Sequence, residues 1–166
     1  YVLSREERIH VLPENVSLLS AALTEPLACC VHAALEKTTI ESSDTVLIIG
    51  PGPIGLLLAQ VVKSQGATVI MSGVTKDKER LEIAKNLGVD RTVNVMEESL
   101  ADVVNEMTDG NGVNKGFDCS GFMPAVNEAL RLLRKKGTFV QVGIFAKKLN
   151  EMDQEAIIQR ELQYIG

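Results

Sequence analysis

Gly50, Gly52 and Gly55 stand at the G-x-G-x-x-G spacing with which a backbone wraps a pyrophosphate. Gly50 lets the chain turn sharply out of the segment before it. Gly52 has no Cβ to block an approaching phosphate, and Gly55 lets the following segment pack closely on the preceding one. Pro53 costs little at a first helical position, where its missing N–H had no intrahelical partner. Ile54 and Gly55 then offer amides at the positive end of a helix dipole. The chemistry expected here is dinucleotide binding. In such sites a carboxylate about 20 positions past the first glycine accepts from the ribose hydroxyls and selects NAD. Here Val69-Ile70-Met71-Ser72 runs into Gly73-Val74-Thr75-Lys76, with no carboxylate at the end of the run. Gly73 leaves room, and Thr75, Lys76 and Arg80 are placed to receive a 2′-phosphate, while the nearest acid, Asp77, lies further on. NADP is therefore expected ahead of NAD.

The other reactive side chains form weaker patterns. Adjacent Cys29 and Cys30 on a helix point about 100° apart, and Cys29 with His32 gives at most two converging metal ligands. Both cysteines read as small buried residues. Cys119 ends a predicted strand beside the expected cleft and reads as steric lining rather than a nucleophile. Glu25, ahead of Pro26, reads from its position alone as a charge at a helix N-terminus. His10 has no visible role, and no acid or base has a paired partner that marks it as catalytic.

The elements that must position the glycines are legible around them. Thr45 opens an apolar run, Val46 to Ile49, that suits a strand buried on both faces of a parallel sheet. Leu56 to Gln65 continues as a helix that breaks at Gly66, and Thr68 to Ser72 is a second strand. A charged amphipathic helix over 78–87 ends at Gly88. Further strands are predicted over 92–95, 116–119, 137–143 and 162–165, with helices over 100–107, 125–133 and 153–159. Strands alternate with helices, so the expected fold is α/β, a doubly wound parallel sheet of the Rossmann type in three layers. Ahead of it lies an N-terminal appendage. There Val2-Leu3 and Ile9 to Leu12 read as two short strands around a charged turn. Leu18, Leu19, Ala22 and Leu23 share a helical face capped by Ser17, and a helix runs from Pro26 to Glu36. The boundary is placed between residues 1–40 and 41–166. Ile165-Gly166 would leave the sixth strand as an unpaired edge, expected to be disordered or to pair with a second copy.

Composition sets limits on partners. The 166 residues are 45% hydrophobic and only 4% aromatic, which suits an aliphatic core and not a stacking platform for bases. A net charge of −5 argues against a nucleic-acid groove. No apolar run has the length of a membrane span. The three cysteines suit reduced, cytoplasmic use. The chain opens on Tyr1 rather than Met, and a piece of a longer protein is expected.

Four stretches, taken together and in order, resemble the zinc-dependent medium-chain alcohol, polyol and threonine dehydrogenases. They are Thr24-Glu25-Pro26-Leu27-Ala28 with Val31-His32-Ala33; Val46 to Leu58 with its Gly-Pro-Ile-Gly; Asp118-Cys119-Ser120-Gly121; and Gly137 to Gly143. The chain departs from the pattern at Gly73, where most NAD-using relatives carry Asp. The resemblance implies hydride transfer between C4 of a nicotinamide and an alcohol or its carbonyl product, with zinc polarising the substrate oxygen. It implies a homo-oligomer acting on a small alcohol or polyol, and zinc ligands that lie mostly outside this chain. Glu25 matches the position that faces zinc in polyol-type members. Cys119 and Ser120 fall beside the cofactor, and the backbone of Val142, Gly143 and Ile144 falls where it can hold the carboxamide. A zinc-free quinone or enoyl reductase of the same superfamily, or a dinucleotide-sensing module without catalysis, are the alternatives.

Overall fold

The computed structural model describes residues 2–146 and 151–166. Six parallel strands form one sheet in the order β3-β2-β1-β4-β5-β6. They are β1 (Thr45–Ile49), β2 (Thr68–Gly73), β3 (Arg91–Asn94), β4 (Val113–Asp118), β5 (Leu133–Gln141) and β6 (Gln163–Ile165). The helices are α1 (Leu18–Ala21), α2 (Thr24–Val31), α3 (Pro53–Ser64), α4 (Lys78–Asn86), α5 (Leu100–Met107), α6 (Met123–Leu132) and α7 (Gln154–Gln159). A single π-helical turn, His32–Glu36, extends α2.

Alternation along the strands sorts the core into two layers, because successive side chains point to opposite faces. Val46, Ile48, Val69, Met71 and Phe117 face α2, α3 and α4; Leu47, Ile49, Ile70, Val93 and Phe139 face α5, α6 and α7. The three-layer doubly wound sheet predicted from the sequence is the fold found. Strand and helix bounds shift by a few residues. The fifth strand begins at Leu133, earlier than the expected Gly137, and pairs irregularly with β4 between Val113 and Lys115.

The appendage differs from expectation. Residues 2–12 hold no strand, only a 3₁₀ turn at Glu6–Arg8. A two-stranded ribbon is marginal without a sheet to join, and Val2, Leu3, Ile9 and Val11 are exposed. Ser17 caps α1 as predicted, accepting from the Ser20 amide at 3.1 Å, but Leu18, Leu19 and Leu23 are exposed too. The predicted 26–36 helix starts two residues earlier, so Pro26 lies inside its first turn, where proline is tolerated. At the other end, β6 forms and pairs with β5 from Thr138↔Gln163 to Val140↔Ile165. The outer edge of β6 has no partner among the described residues.

Candidate dinucleotide-binding site

The sheet order reverses beside β1. The helix after β1, α3, packs on one face of the sheet and the helix after β4, α6, on the other, so the loops leaving the two strands part. A crevice opens at their carboxyl ends, the position where ligands bind in open α/β sheets. Gly50 leaves β1 with φ +94, a left-handed conformation that side chains rarely adopt, and its amide donates to Ser72 O at 2.9 Å. Gly52 is the N-cap of α3 and Pro53 its first residue. In that first turn the amides of Ile54 and Gly55 have no carbonyl to bond within the helix. A Cβ built on Gly52 meets nothing within 4 Å, so its side is open, whereas one on Gly55 would lie 2.0 Å from Gly50 O. Cys119 packs against Gly55 from behind, its Cβ 3.7 Å from that built position. Burial first, then the Asp118 carboxylate and Cys30, push the Cys119 thiol well above its usual range, so it holds its proton. A thiol that keeps its proton is a poor nucleophile.

A cleft of about 500 Å³ runs from this loop across the ends of β1 and β2. Gly50, Gly73, Lys76 and Ser120, all read from the sequence, line it. Ile49, Val95, Leu100 and Phe122 supply apolar wall that sequence reasoning did not single out, and Glu128 an acidic patch. Their signal was only a place at a strand end or helix start. The region beyond β2 holds a finding about charge. Asp77, the nearest acid beyond the end of β2, is buried in the cleft wall, where it accepts from the Val74 amide at 3.3 Å and from Arg80 Nη1 at 3.2 Å. Arg80 is thus already paired. Thr75 Oγ1 accepts from Asn94 Nδ2 at 3.2 Å, while Lys76 makes no ion pair among the described residues. Gly73 is less roomy than the sequence suggests, since a Cβ there would lie 3.0 Å from the Pro51 ring.

The far wall comes from the loops after β4 and β5. The amides of Val142 and Gly143 both donate to Asp118 O, at 3.0 and 2.7 Å, and Gly143 O accepts from Gln141 Nε2 at 2.6 Å. Among the described residues the Val142 carbonyl and the Ile144 amide make no backbone hydrogen bond. The Ile144 side chain is 92% exposed. Glu25 is exposed in the first turn of α2, and no three His, Cys, Asp or Glu side chains converge on a metal position among the described residues. The residues present do not build a zinc site.

A sequence profile described as zinc-binding dehydrogenase matches residues 53–166. The chain belongs to the zinc-binding dehydrogenase family. Among this family's curated members it is 58% identical to the D-arabitol-phosphate dehydrogenase of Enterococcus avium and 47% identical to the sorbitol dehydrogenase of Halalkalibacterium halodurans, over its whole length in both cases. It spans 47% and 48% of those two proteins, about half their length. Among solved structures, a protein described as a zinc-binding dehydrogenase from Sinorhizobium meliloti 1021, bound to NADP, superposes at a TM-score of 0.83 with 30% identity. That match covers 93% of this chain and 45% of the other. A protein described as a short chain alcohol dehydrogenase from Escherichia coli CFT073, complexed with NADH, gives 0.82 at 29% identity, covering 93% and 44%. The family resemblance read from the four sequence stretches therefore holds, and these two solved neighbours hold NADP and NADH, the two cofactors that the sequence left in contention.

Proposed function

We propose that residues 41–166 form the cofactor-binding domain, and residues 1–40 the end of a catalytic segment, of an oxidoreductase. It transfers a hydride between a nicotinamide dinucleotide and an alcohol or polyol, or its carbonyl product. The observation that carries this reading is the crevice at the sheet's reversal point, a cleft of about 500 Å³ lined by Gly50, Gly73, Lys76 and Ser120, with the open side of Gly52 and the first turn of α3 following directly on Gly50. The nicotinamide, when bound, supplies the carbon that gives or takes the hydride. This chain's residues bind and orient it. Gly52, Ile54 and Gly55 take the pyrophosphate, the cleft walls take the adenosine, and Val142 and Ile144 meet the carboxamide. A small polyol substrate is supported by the names of the relatives, and zinc would depend on ligands outside this chain, with Glu25 offering at most one. A cytoplasmic homo-oligomer, with β6 edges pairing between copies, completes the proposal. The test is calorimetry and turnover on the 166-residue chain, which should bind NADPH or NADH and oxidise no alcohol. Failure to bind either would sink the cofactor reading, and enzyme-like turnover would sink the division of labour.

Cofactor choice turns on the Arg80–Asp77 pair. The Arg80 side chain is 56% exposed, so the pair is worth about 0–1 kcal/mol, and a dianionic phosphate can compete for the guanidinium. One charge-assisted contact contributes about 1.5–3 kcal/mol before screening, enough for roughly tenfold selectivity. We expect the ratio of dissociation constants to favour NADP about tenfold and to fall towards unity in Arg80→Ala. Gly73→Asp should move it further towards NAD by adding a repulsive charge, at some cost from the Pro51 contact. A wild-type preference for NAD that Arg80→Ala leaves unmoved would show that Lys76 and Arg80 are ordinary surface residues.

A further inference from the structure

A second hollow, of about 520 Å³, lies at the amino ends of β1, β4 and β5, the opposite end of the sheet from the crevice. Thr45, Asn111, Asn114, Arg134 and Lys135 supply most of its wall, and no carboxylate and no hydrophobic residue lines it among the described residues. The irregular pairing of β5 brings its cations there. Val113 pairs with Leu133 and Lys115 with Thr138, so residues 134–137 stand opposite Asn114 alone. A bulge of this kind re-aims the side chains it carries, and here it carries Arg134-Lys135-Lys136. Lys136 is turned at φ +60, its amide donates to Arg160 O at 2.8 Å, and its ammonium lies 3.8 Å from Glu161. A Cβ on Gly137 would lie 3.0 Å from Arg134 O and 3.2 Å from Asn114 O, so the bulge closes tightly on β4.

Unlike Lys136, Arg134 and Lys135 make no ion pair among the described residues. On a chain of net charge −5 they form a local positive spot with no acid in its wall. Neutral donors and acceptors complete it. The Thr45 amide can only donate, so the Asn114 atom it meets at 3.0 Å is Oδ1. Both N–H groups of Asn114 Nδ2 are then left without a partner among the described residues. Asn111 is fixed the other way round: its Nδ2 donates to Thr108 O at 3.0 Å, which leaves Oδ1 as an acceptor. A guanidinium, an ammonium and an amide donor suit a dianionic phosphate. The acceptor suits a hydroxyl, and a wall without hydrophobic residues offers a nucleotide base nothing to pack on.

We infer that this hollow is a second ligand site, for a phosphate monoester on a small polyhydroxy body. Arg134, Lys135 and Asn114 Nδ2 take the phosphate, and Asn111 Oδ1 takes a hydroxyl. The length of β1, at about 3.3 Å per residue, puts roughly 16 Å between Thr45 and Gly50, so a molecule bound here stands apart from the dinucleotide cleft. Calorimetry on the 166-residue chain in phosphate-free buffer tests this with sorbitol 6-phosphate, inorganic phosphate and sorbitol as probes. We expect sorbitol 6-phosphate to bind about tenfold more tightly than inorganic phosphate and sorbitol to give no signal. Arg134→Ala combined with Lys135→Ala, both exposed positions, should weaken sorbitol 6-phosphate about tenfold or more and leave NADPH binding unchanged. Asn114→Asp keeps an acceptor for the Thr45 amide and sets a negative charge before the phosphate, so it should weaken the same probe at least as much. Saturating NADPH should leave the wild-type affinity for sorbitol 6-phosphate as it was. No binding of that probe, or binding that the double variant leaves intact, overturns the inference. Displacement by NADPH overturns it too, by placing the probe in the cleft. Inorganic phosphate binding as tightly as sorbitol 6-phosphate overturns the polyhydroxy part. The double variant is read without any dinucleotide, so failure of the cofactor reading is seen separately, as absence of NADPH binding to the wild-type chain.

Discussion

Replacing Gly52 by valine should abolish measurable dinucleotide binding and leave the protein folded. The position is the N-cap of α3 with φ −73 and ψ 178, an extended conformation that any residue adopts, and a Cβ there meets no protein atom within 4 Å. Valine consequently fits the protein at little cost, about 1 kcal/mol or less for a poorer cap. It does not fit the ligand, since its branched methyl groups occupy the space through which a pyrophosphate must reach the helix amides. We expect the dissociation constant to rise at least a hundredfold, about 2.7 kcal/mol, with an unchanged melting temperature to within a few degrees. Calorimetry with NADPH and NADH beside a thermal melt reads both quantities. Undiminished affinity in the folded variant would place the phosphates elsewhere.

Three residues on, the same addition has the opposite signature. Gly55→Ala should destabilise the fold itself, by about 3 kcal/mol or more. The new Cβ would lie 2.0 Å from Gly50 O and 3.2 Å from Gly50 C, and both are backbone atoms that cannot rotate away. Relief requires α3 to move off β1, which opens the packing of Ile48 and Leu58, both fully buried in the same layer. For a chain of this size each kcal/mol lowers the melting temperature by about 2–4 °C, so a drop of roughly 6–12 °C is expected. Binding falls too, because the loop shifts with the helix. An alanine variant that melts with the wild type would mean that this glycine is not where helix and strand meet. Set beside Gly52→Val, the pair separates a glycine required by the ligand from one required by the protein.

The difference between these two glycines was legible in their spacing, because the motif arises from local geometry that a short segment encodes. The same holds for the alternation of β1 with α3 and β2, where continuous apolar runs and helix-breaking glycines stand next to one another. What stayed hidden depends on partners distant in sequence. Residues 2–12 carry a pattern that suits strands, yet a strand is made by its neighbour, and none is present among the described residues. Asp77 looked remote when counted along the chain; the 3₁₀ turn at Thr75–Asp77 folds it back onto the Val74 amide and into the cleft wall. Asp118 stood in a stretch already noted for its resemblance to the family. Its role as an anchor of the loop after β5 could not be read there, because Gln141, one of its donors, lies 23 residues away.

Every strand of the sheet runs in the same direction, and parallel neighbours cannot be joined by a tight turn. Each pairing must therefore wait for a crossover helix, and one pairing waits far longer than the rest. Where β1 meets β4, the Thr45 amide donates to Asn114 Oδ1 across 69 residues of chain. Closing so long a loop carries the largest entropic cost of any contact in the sheet, and non-local pairings of this kind slow folding. The crevice lies along that same seam. A newly made β1–α3–β2 unit already contains all three glycines, but its phosphate loop faces no opposite wall until β4 arrives. The capacity to hold a dinucleotide is in this sense a late product of folding, created by the last and most distant join.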